Sequence, residues 1–227
     1  MIGIGIFGGG GRMGRAIADA VAGRDDIRVV EDRPDIFVDF SAPEALPQHL
    51  DAAVAAGKPI LIGTTGLTGD HQRLIDEVSA HIAVLQAANT SLGVTLLARL
   101  VREAAARLGE GWDIEILEMH HRHKVDAPSG TSLLLGRAAA EGRGIALEPV
   151  IERAGGRRSG EIGFAVMRGG SVAGDHHIVF AGDGERIELG HRAESRAIFA
   201  QGAVRAALWL AGKPAGRYAM DDVLGLK

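Results

Sequence analysis

Ile2-Gly3-Ile4-Gly5-Ile6-Phe7 carries no charge and runs straight into Gly8-Gly9-Gly10-Gly11, after which apolar residues recur at Met13, Ile17, Ala20 and Val21. A short apolar run that ends in glycines reads as a buried strand, and apolar residues three and four apart read as one face of a helix. This stretch constrains the fold most, because strand, glycine turn and helix in that order open a βαβ unit. Gly9, Gly11 and Gly14 satisfy G-x-G-x-x-G, and Gly8, Gly11 and Gly14 give G-x-x-G-x-x-G. Such glycines let the backbone turn tightly and let a pyrophosphate approach the positive end of the following helix. Arg15-Ala16 after Gly14, in place of Lys-Ser/Thr, excludes a P-loop.

The same alternation continues for ninety residues. Strands are expected at 27–30, 36–40, 59–62 and 82–85, and helices at 45–56 and 68–80, with Gly57 as a left-handed helix stop. That grammar predicts an α/β, Rossmann-like, doubly wound parallel sheet. After residue 90 it changes. Helices at 92–108 and 129–141 and strands at 114–119, 162–167, 177–181 and 187–190 predict a second α+β domain with a mostly antiparallel sheet. A helix over 201–210 closes the chain. The expected division is a dinucleotide-binding domain at 1–91 plus 200–227 and a substrate-binding and oligomerisation domain at 92–199.

Composition narrows the class. A chain of 227 residues, 46% apolar and 24% charged, can bury a core and is not a disordered chain. It has no uncharged apolar run of about 18 residues. It opens without a basic segment or cleavage site, so neither a membrane span nor a secretory leader is expected and the location reads as cytoplasmic. Zero cysteine removes disulfides, thiolate nucleophiles and zinc ribbons together. A net charge of −4 offers no general attraction to nucleic acid or anionic lipid. Lysine is scarce: Lys58, Lys124, Lys213 and Lys227 are the only four.

Lys124 sits in the densest chemical cluster, Glu118-Met119-His120-His121-Arg122-His123-Lys124-Val125-Asp126-Ala127-Pro128-Ser129-Gly130-Thr131. Histidine can give and take a proton near neutral pH. Ser129 reads as the N-cap of a helix whose first amides, at Gly130 and Thr131, face an anion. Cationic side chains beside a helix N-terminus form a receptor for a small dicarboxylate. Zinc on His120, His121 and His123 is the rival. The spacing sends those rings to different faces of a strand, and Arg122 and Lys124 would repel a dication, so no metal is expected. Gly63-Thr64-Thr65-Gly66 and Ala87-Ala88-Asn89-Thr90 leave the ends of later strands, where ligands of parallel sheets sit. His176 and His177 alternate to opposite faces of a strand in structural or surface roles, and His49, His71 and His81 read as solvated.

GGGGRMG, GTTG at 63–66, AANTSLGV at 87–94 and above all EMHHRHKVDAPSGT at 118–131 resemble the 4-hydroxy-tetrahydrodipicolinate reductase (dihydrodipicolinate reductase) family, as does the closing FAQGAVRAALWLAGKPAGRYAMDDVLGL. The resemblance implies reduction of a cyclic, unsaturated imino dicarboxylate, with loss of water, by NADH or NADPH, within lysine and diaminopimelate biosynthesis. It implies His120 as proton donor and acceptor, Lys124 as second proton donor, and His121, Gly130 and Thr131 as substrate-binding residues. Gly8, Gly9, Gly10, Gly11, Arg12 and Met13, then Gly63, Thr64 and Thr65, then Ala87, Ala88, Asn89 and Thr90 match cofactor-binding segments. Arg196 matches a hinge arginine on the cofactor side, and a homotetramer is implied. One departure is that relatives carry roughly thirty more residues after the second strand. An acid about 20 residues beyond the glycines normally holds the adenosine ribose. Here Glu31 and Asp32 are the candidates, with Arg33 able to meet a 2′-phosphate. Another nicotinamide-dependent dehydrogenase of a small dicarboxylate, or a non-catalytic dinucleotide sensor, are the other classes. The first has no reason to carry HHRHKVDAPSGT, and the second lacks a basic recognition helix.

Overall fold

The structure, a computed structural model, describes residues 1–226; Lys227, assigned above to the first domain, lies outside them. The chain forms two compact units, Met1–Leu92 with Ala197–Lys227 and Gly93–Arg196. The sequence-based boundaries stood at 91/92 and 199/200. No helix among the described residues is long and apolar enough to cross a membrane.

Unit 1 contains strands β1 (Ile2–Phe7), β2 (Ile27–Val29), β3 (Ile36–Asp39), β4 (Ile60–Ile62) and β5 (Ala83–Gln86), with helices α1 (Arg12–Val21), α2 (Leu46–Ala56) and α3 (Gly69–Ser79) between them. All strands pair in parallel. Parallel strands are covered on both faces and therefore read as continuous apolar runs. Ile60, Leu61 and Ile62 are all fully buried, and alternation splits them: Leu61 joins the core under α1, while Ile60 and Ile62 join the core under α2 and α3.

The shortened segment after β2 has a clear physical solution. Parallel neighbours usually need a crossover of a dozen or more residues. Here Val29 and Ile36 lie level with the same residue of β1, Ile4, on its two sides. The chain therefore steps sideways across β1 without returning along it. Val30 N–H donates to Ile4 (2.9 Å) and Asp35 N–H to Gly3 (2.7 Å). A Cβ on Gly3 would meet Val30 at 3.0 Å, and one on Gly5 would meet Pro34 at 3.1 Å. The bare strand makes room for the crossing segment.

Unit 2 contains α4 (Leu92–Leu108, its first residue counted with unit 1), β6 (Asp113–His120), α5 (Gly130–Arg143), β7 (Pro149–Val150), β8 (Ile162–Arg168), β9 (Gly174–Gly182) and β10 (Glu185–Ala193). The sheet order is β10-β9-β6-β8-β7. Most of its pairing is antiparallel, as expected, through β10, β9 and β6, and it is mixed because β8 joins β6 and β7 in parallel. The helical crossover α5 between β6 and β8 is what makes a parallel neighbour possible. On one face Ile114, Ile116, Ile162, Phe164, Ile178 and Phe180 pack under α4 and α5. The chain returns to unit 1 as α6 (Ala197–Leu210), β11 (Gly216–Tyr218) and α7 (Met220–Leu224), giving the six-stranded order β11-β5-β4-β3-β1-β2. Strand order reverses at β1, between β3 and β2, which is the topological switch where such sheets bind ligands.

Candidate active site

In unit 1 the predicted cofactor segments leave the carboxyl ends of three strands of one sheet: Gly8–Met13 after β1, Gly63–Thr65 after β4 and Ala87–Thr90 after β5. Gly8 has φ +78°, which glycine adopts without strain. A Cβ on Gly14 would strike Gly8 O and reach 2.5 Å from Gly9 Cα, so only glycine lets α1 begin this close to the turn. No side chain caps α1 and its first turn holds no acid. The exposed Gly9, Gly10 and Gly11 therefore present backbone and a helix N-terminus, which fits a pyrophosphate. Arg12 and Asp32 are exposed and Met13 is half-buried.

Behind these loops lies a residue the sequence reading missed. Asp39, fully buried at the end of β3, accepts from Ser41 N–H (2.9 Å), Ser41 Oγ (2.6 Å) and Thr64 Oγ1 (3.0 Å) and lies 3.0 Å from His49 Nδ1. His49 is not solvated as expected: its ring also stacks on Phe7 with centroids 3.9 Å apart. A buried carboxylate needs such partners. The hydroxyl of Thr64 thus serves the scaffold, as does that of Thr90, which donates to Phe199 O (2.7 Å). Thr65, Gly66 and Ala88 are the exposed members of these loops.

In unit 2 the strand register assembles the second site. Even-numbered residues of β6 face the helices, so Glu118 and His120 follow Ile114 and Ile116 into the buried face. His176 lies opposite Glu118 across the antiparallel pair, and Arg168 lies opposite His120 across the parallel one. Ser129 caps α5 above them, its hydroxyl accepting from Ser132 N–H (3.2 Å). Glu118, His120, His176, Ser129 and Ser132 are all buried. The Glu118 carboxylate accepts from Ser129 N–H (3.1 Å), Ser132 Oγ (2.7 Å) and Arg168 Nη2 (3.0 Å). Burial alone would raise its affinity for a proton, but these donors outweigh burial and hold it below the ordinary glutamate value.

The loop beyond β6 is pinned from both sides. His121 N–H donates to Val172 O (2.8 Å), and Arg168 donates to the carbonyls of Lys124 (3.3 Å) and Asp126 (2.6 Å). Lys124 Nζ rests on the Asp126 carboxylate at 2.7 and 2.8 Å. Burial lowers the His120 pKa, Glu118 opposes that, and Lys124 and Arg168 add to it. Arg196 belongs to unit 2, with Nη2 2.8 Å from His121 Nε2. Gly130 and Thr131 open α5. His120, His121, Lys124, Gly130, Thr131 and Arg196 therefore share one unit.

Donor atoms of Glu118, His120 and His176 lie within 4.8 Å of one another, as a metal would require. The carboxylate is already filled by three donors, one of them a guanidinium, which opposes a cation there. The sequence reading gave Glu118 and Arg168 no role and His176 only a structural or surface one, although one signal was present. In the alternation Ile114, Ile116, Glu118, His120, a carboxylate falls on an apolar face.

Residues 23–90 match the family described as "Dihydrodipicolinate reductase, N-terminus", and residues 93–224 match "Dihydrodipicolinate reductase, C-terminus". The chain is 55% identical to the 4-hydroxy-tetrahydrodipicolinate reductase of Zymomonas mobilis, with 98% of this chain and 97% of that protein covered. It is 45% identical to the enzyme of the same name from Caulobacter vibrioides, over 99% and 97%. The Zymomonas alignment spans 246 residues against the 227 of this chain, so that relative carries residues lacking here. The fold is similar to a dipicolinate-bound dihydrodipicolinate reductase from Paenisporosarcina sp. TG-14, with TM-score 0.77, 22% identity and coverage of 96% and 97%.

Proposed function

The chain belongs to the dihydrodipicolinate reductase family, and from that premise we propose how its residues perform the reaction. The activity is reduction of 4-hydroxy-tetrahydrodipicolinate to tetrahydrodipicolinate, with loss of water, at the expense of NADH or NADPH, in lysine and diaminopimelate biosynthesis. Gly8, Gly9, Gly10, Gly11, Arg12 and Met13, with Gly63, Thr64, Thr65, Ala87, Ala88, Asn89 and Thr90, hold the dinucleotide, and Asp32 takes its ribose. The bound nicotinamide supplies the hydride.

Reduction places electron density on a dianionic ring, and a proton must discharge it. His120 and Lys124 stabilise that charge and deliver the proton. Gly130 and Thr131 receive a carboxylate at the N-terminus of α5, with His121 beside it. Arg196, the last residue of unit 2 before the chain re-enters unit 1, donates to His121 and takes the role of the family's hinge arginine. The observation that carries this reading is the buried pairing of His120 with Glu118 directly before a loop that ends in a capped helix. The test is oxidation of NADH or NADPH when freshly made 4-hydroxy-tetrahydrodipicolinate is added. Turnover is expected with wild type and is lost in a His120→Ala/Lys124→Ala double variant; full turnover by that variant refutes the assignment.

The subunits form a homotetramer through the helix-free face of the unit 2 sheet. Leu117, Met119, Met167 and Val179 are incompletely buried there, and such faces are normally covered. Light scattering at micromolar concentration tests this, and a monomer overturns it. The location is cytoplasmic, where reduced dinucleotide is available; cell fractionation checks it.

A further inference from the structure

We propose that Glu118 is a positioning residue for His120, its carboxylate holding the proton of the neutral ring on Nδ1 and keeping the opposite edge, Nε2, for proton exchange. This deepens the reading above, because it rests on His120 being the proton donor. Glu118 Oε2 lies 3.6 Å from His120 Nδ1, and that nitrogen is buried with no hydrogen-bond partner among the described residues. A buried N–H facing a carboxylate is favoured over a lone pair facing it. The other edge is kept clear by a missing side chain: a Cβ on Gly174 would stand 3.0 Å from His120 Nε2.

The groups around His120 divide the work. Glu118 stands on β6 itself, Arg168 on β8, His176 on β9 with His191 opposite it on β10, and Lys124 and Asp126 on the following loop. Three donors fix the carboxylate, so its position does not depend on His120. His176 meets His120 edge to face with centroids 5.1 Å apart, and its Nε2 is 3.3 Å from Ser129 Oγ and 3.8 Å from Glu118 Oε2. Burial first, then the neighbouring His120, hold His176 down to about 4. The Glu118 charge faces both rings, 3.6 Å from His120 Nδ1 and 3.8 Å from His176 Nε2, and opposes the effect of burial on each.

Heteronuclear NMR of the histidine rings in the full-length protein tests this, with the His120 signals assigned by their loss in His120→Gln. Wild type is expected to show the Nδ1–H tautomer. In Glu118→Gln the His120 titration midpoint should fall by about one unit or more, and Glu118→Asp should recover part of that shift. The pH at which kcat begins to fall should move acidward by the same amount, with KM changed less than kcat. An Nε2–H tautomer in wild type overturns the proposal without any variant, as does an unmoved midpoint in Glu118→Gln. A moved midpoint with an unmoved kcat profile leaves Glu118 in this role and removes His120 as the proton donor.

Discussion

Unit 1 offers its ligand glycine backbone and an uncapped helix end, and the carboxylate behind the Gly63–Thr65 loop, Asp39, is buried and engaged. Unit 2 offers side chains: two histidines, a lysine, an arginine and a glutamate, three of them buried on one sheet face. The first device works by leaving atoms out, so that a charged ligand can come close to amides. The second works by holding charges at fixed distances in a poorly solvated place, where small changes in protonation have large effects. Perturbing protonation should therefore tell mainly on unit 2, and perturbing backbone space mainly on unit 1.

The largest effect is expected in acid. His176 has its pKa held at about 4 by burial, against 6.5 for the free ring. The unfolded chain accepts a proton that the folded unit refuses, so stability falls as pH drops from about 6.5 toward 4. This single group accounts for a loss of about 3 kcal/mol by pH 4. His120, His121 and His191, also in unit 2, are lowered with burial the leading cause in each and act in the same direction. Glu118, depressed by its donors against burial, adds a further loss once pH falls below the ordinary glutamate range. Urea unfolding of wild type and His176→Asn at pH 7, 6 and 5 checks this. The variant should show a flatter dependence, and equal slopes would break the comparison.

Next comes the side-chain chemistry itself. Lys124→Ala removes a compact point charge and the proposed second proton donor and should lower kcat by about 10²-fold or more. His121→Ala should instead raise KM by roughly tenfold with less change in kcat, as for a contact made equally in ground and transition states. Neither should alter NADH affinity, measured by fluorescence titration, because the glycine loops are intact. A Lys124→Ala enzyme with near-normal kcat would reduce the lysine to a binding group and leave proton donation to His120.

The same contrast decides what could be read before folding. The cofactor edge is local: residues 2–21 contain strand, turn and helix in order, and the glycines follow from backbone geometry alone. The side-chain site is only half local. His120 to Thr131 lie within one stretch, but Arg168 and His176 enter through a strand register 48 and 58 residues away. Spacing along the chain carries no such information, because a one-residue slip would send both to the other face. His49 misled for a related reason. Its charged neighbours in sequence suggested solvent, whereas Asp39, ten residues earlier, draws it inward.

The smallest expected effect concerns charged side chains of unit 1 rather than its glycine backbone. Glu31, Asp32 and Arg33 follow β2, where an acid ordinarily binds the ribose hydroxyls and an arginine a 2′-phosphate. All three are exposed, within a six-residue segment anchored to β1 at Val30 and Asp35. Arg33 takes φ +48°, a conformation uncommon outside glycine. Two carboxylates beside a 2′-phosphate repel it, and one exposed arginine returns little in water. NADH should therefore serve at least as well as NADPH, with the two kcat/KM values within about tenfold, since an exposed charge contact contributes about 1 kcal/mol or less. Replacing both acids, Glu31→Gln with Asp32→Asn, should raise kcat/KM for NADPH a few-fold and leave kcat with NADH unchanged. A tenfold preference of wild type for NADPH would show instead that Arg33 dominates the turn, and that even here a single placed side chain outweighs the backbone device.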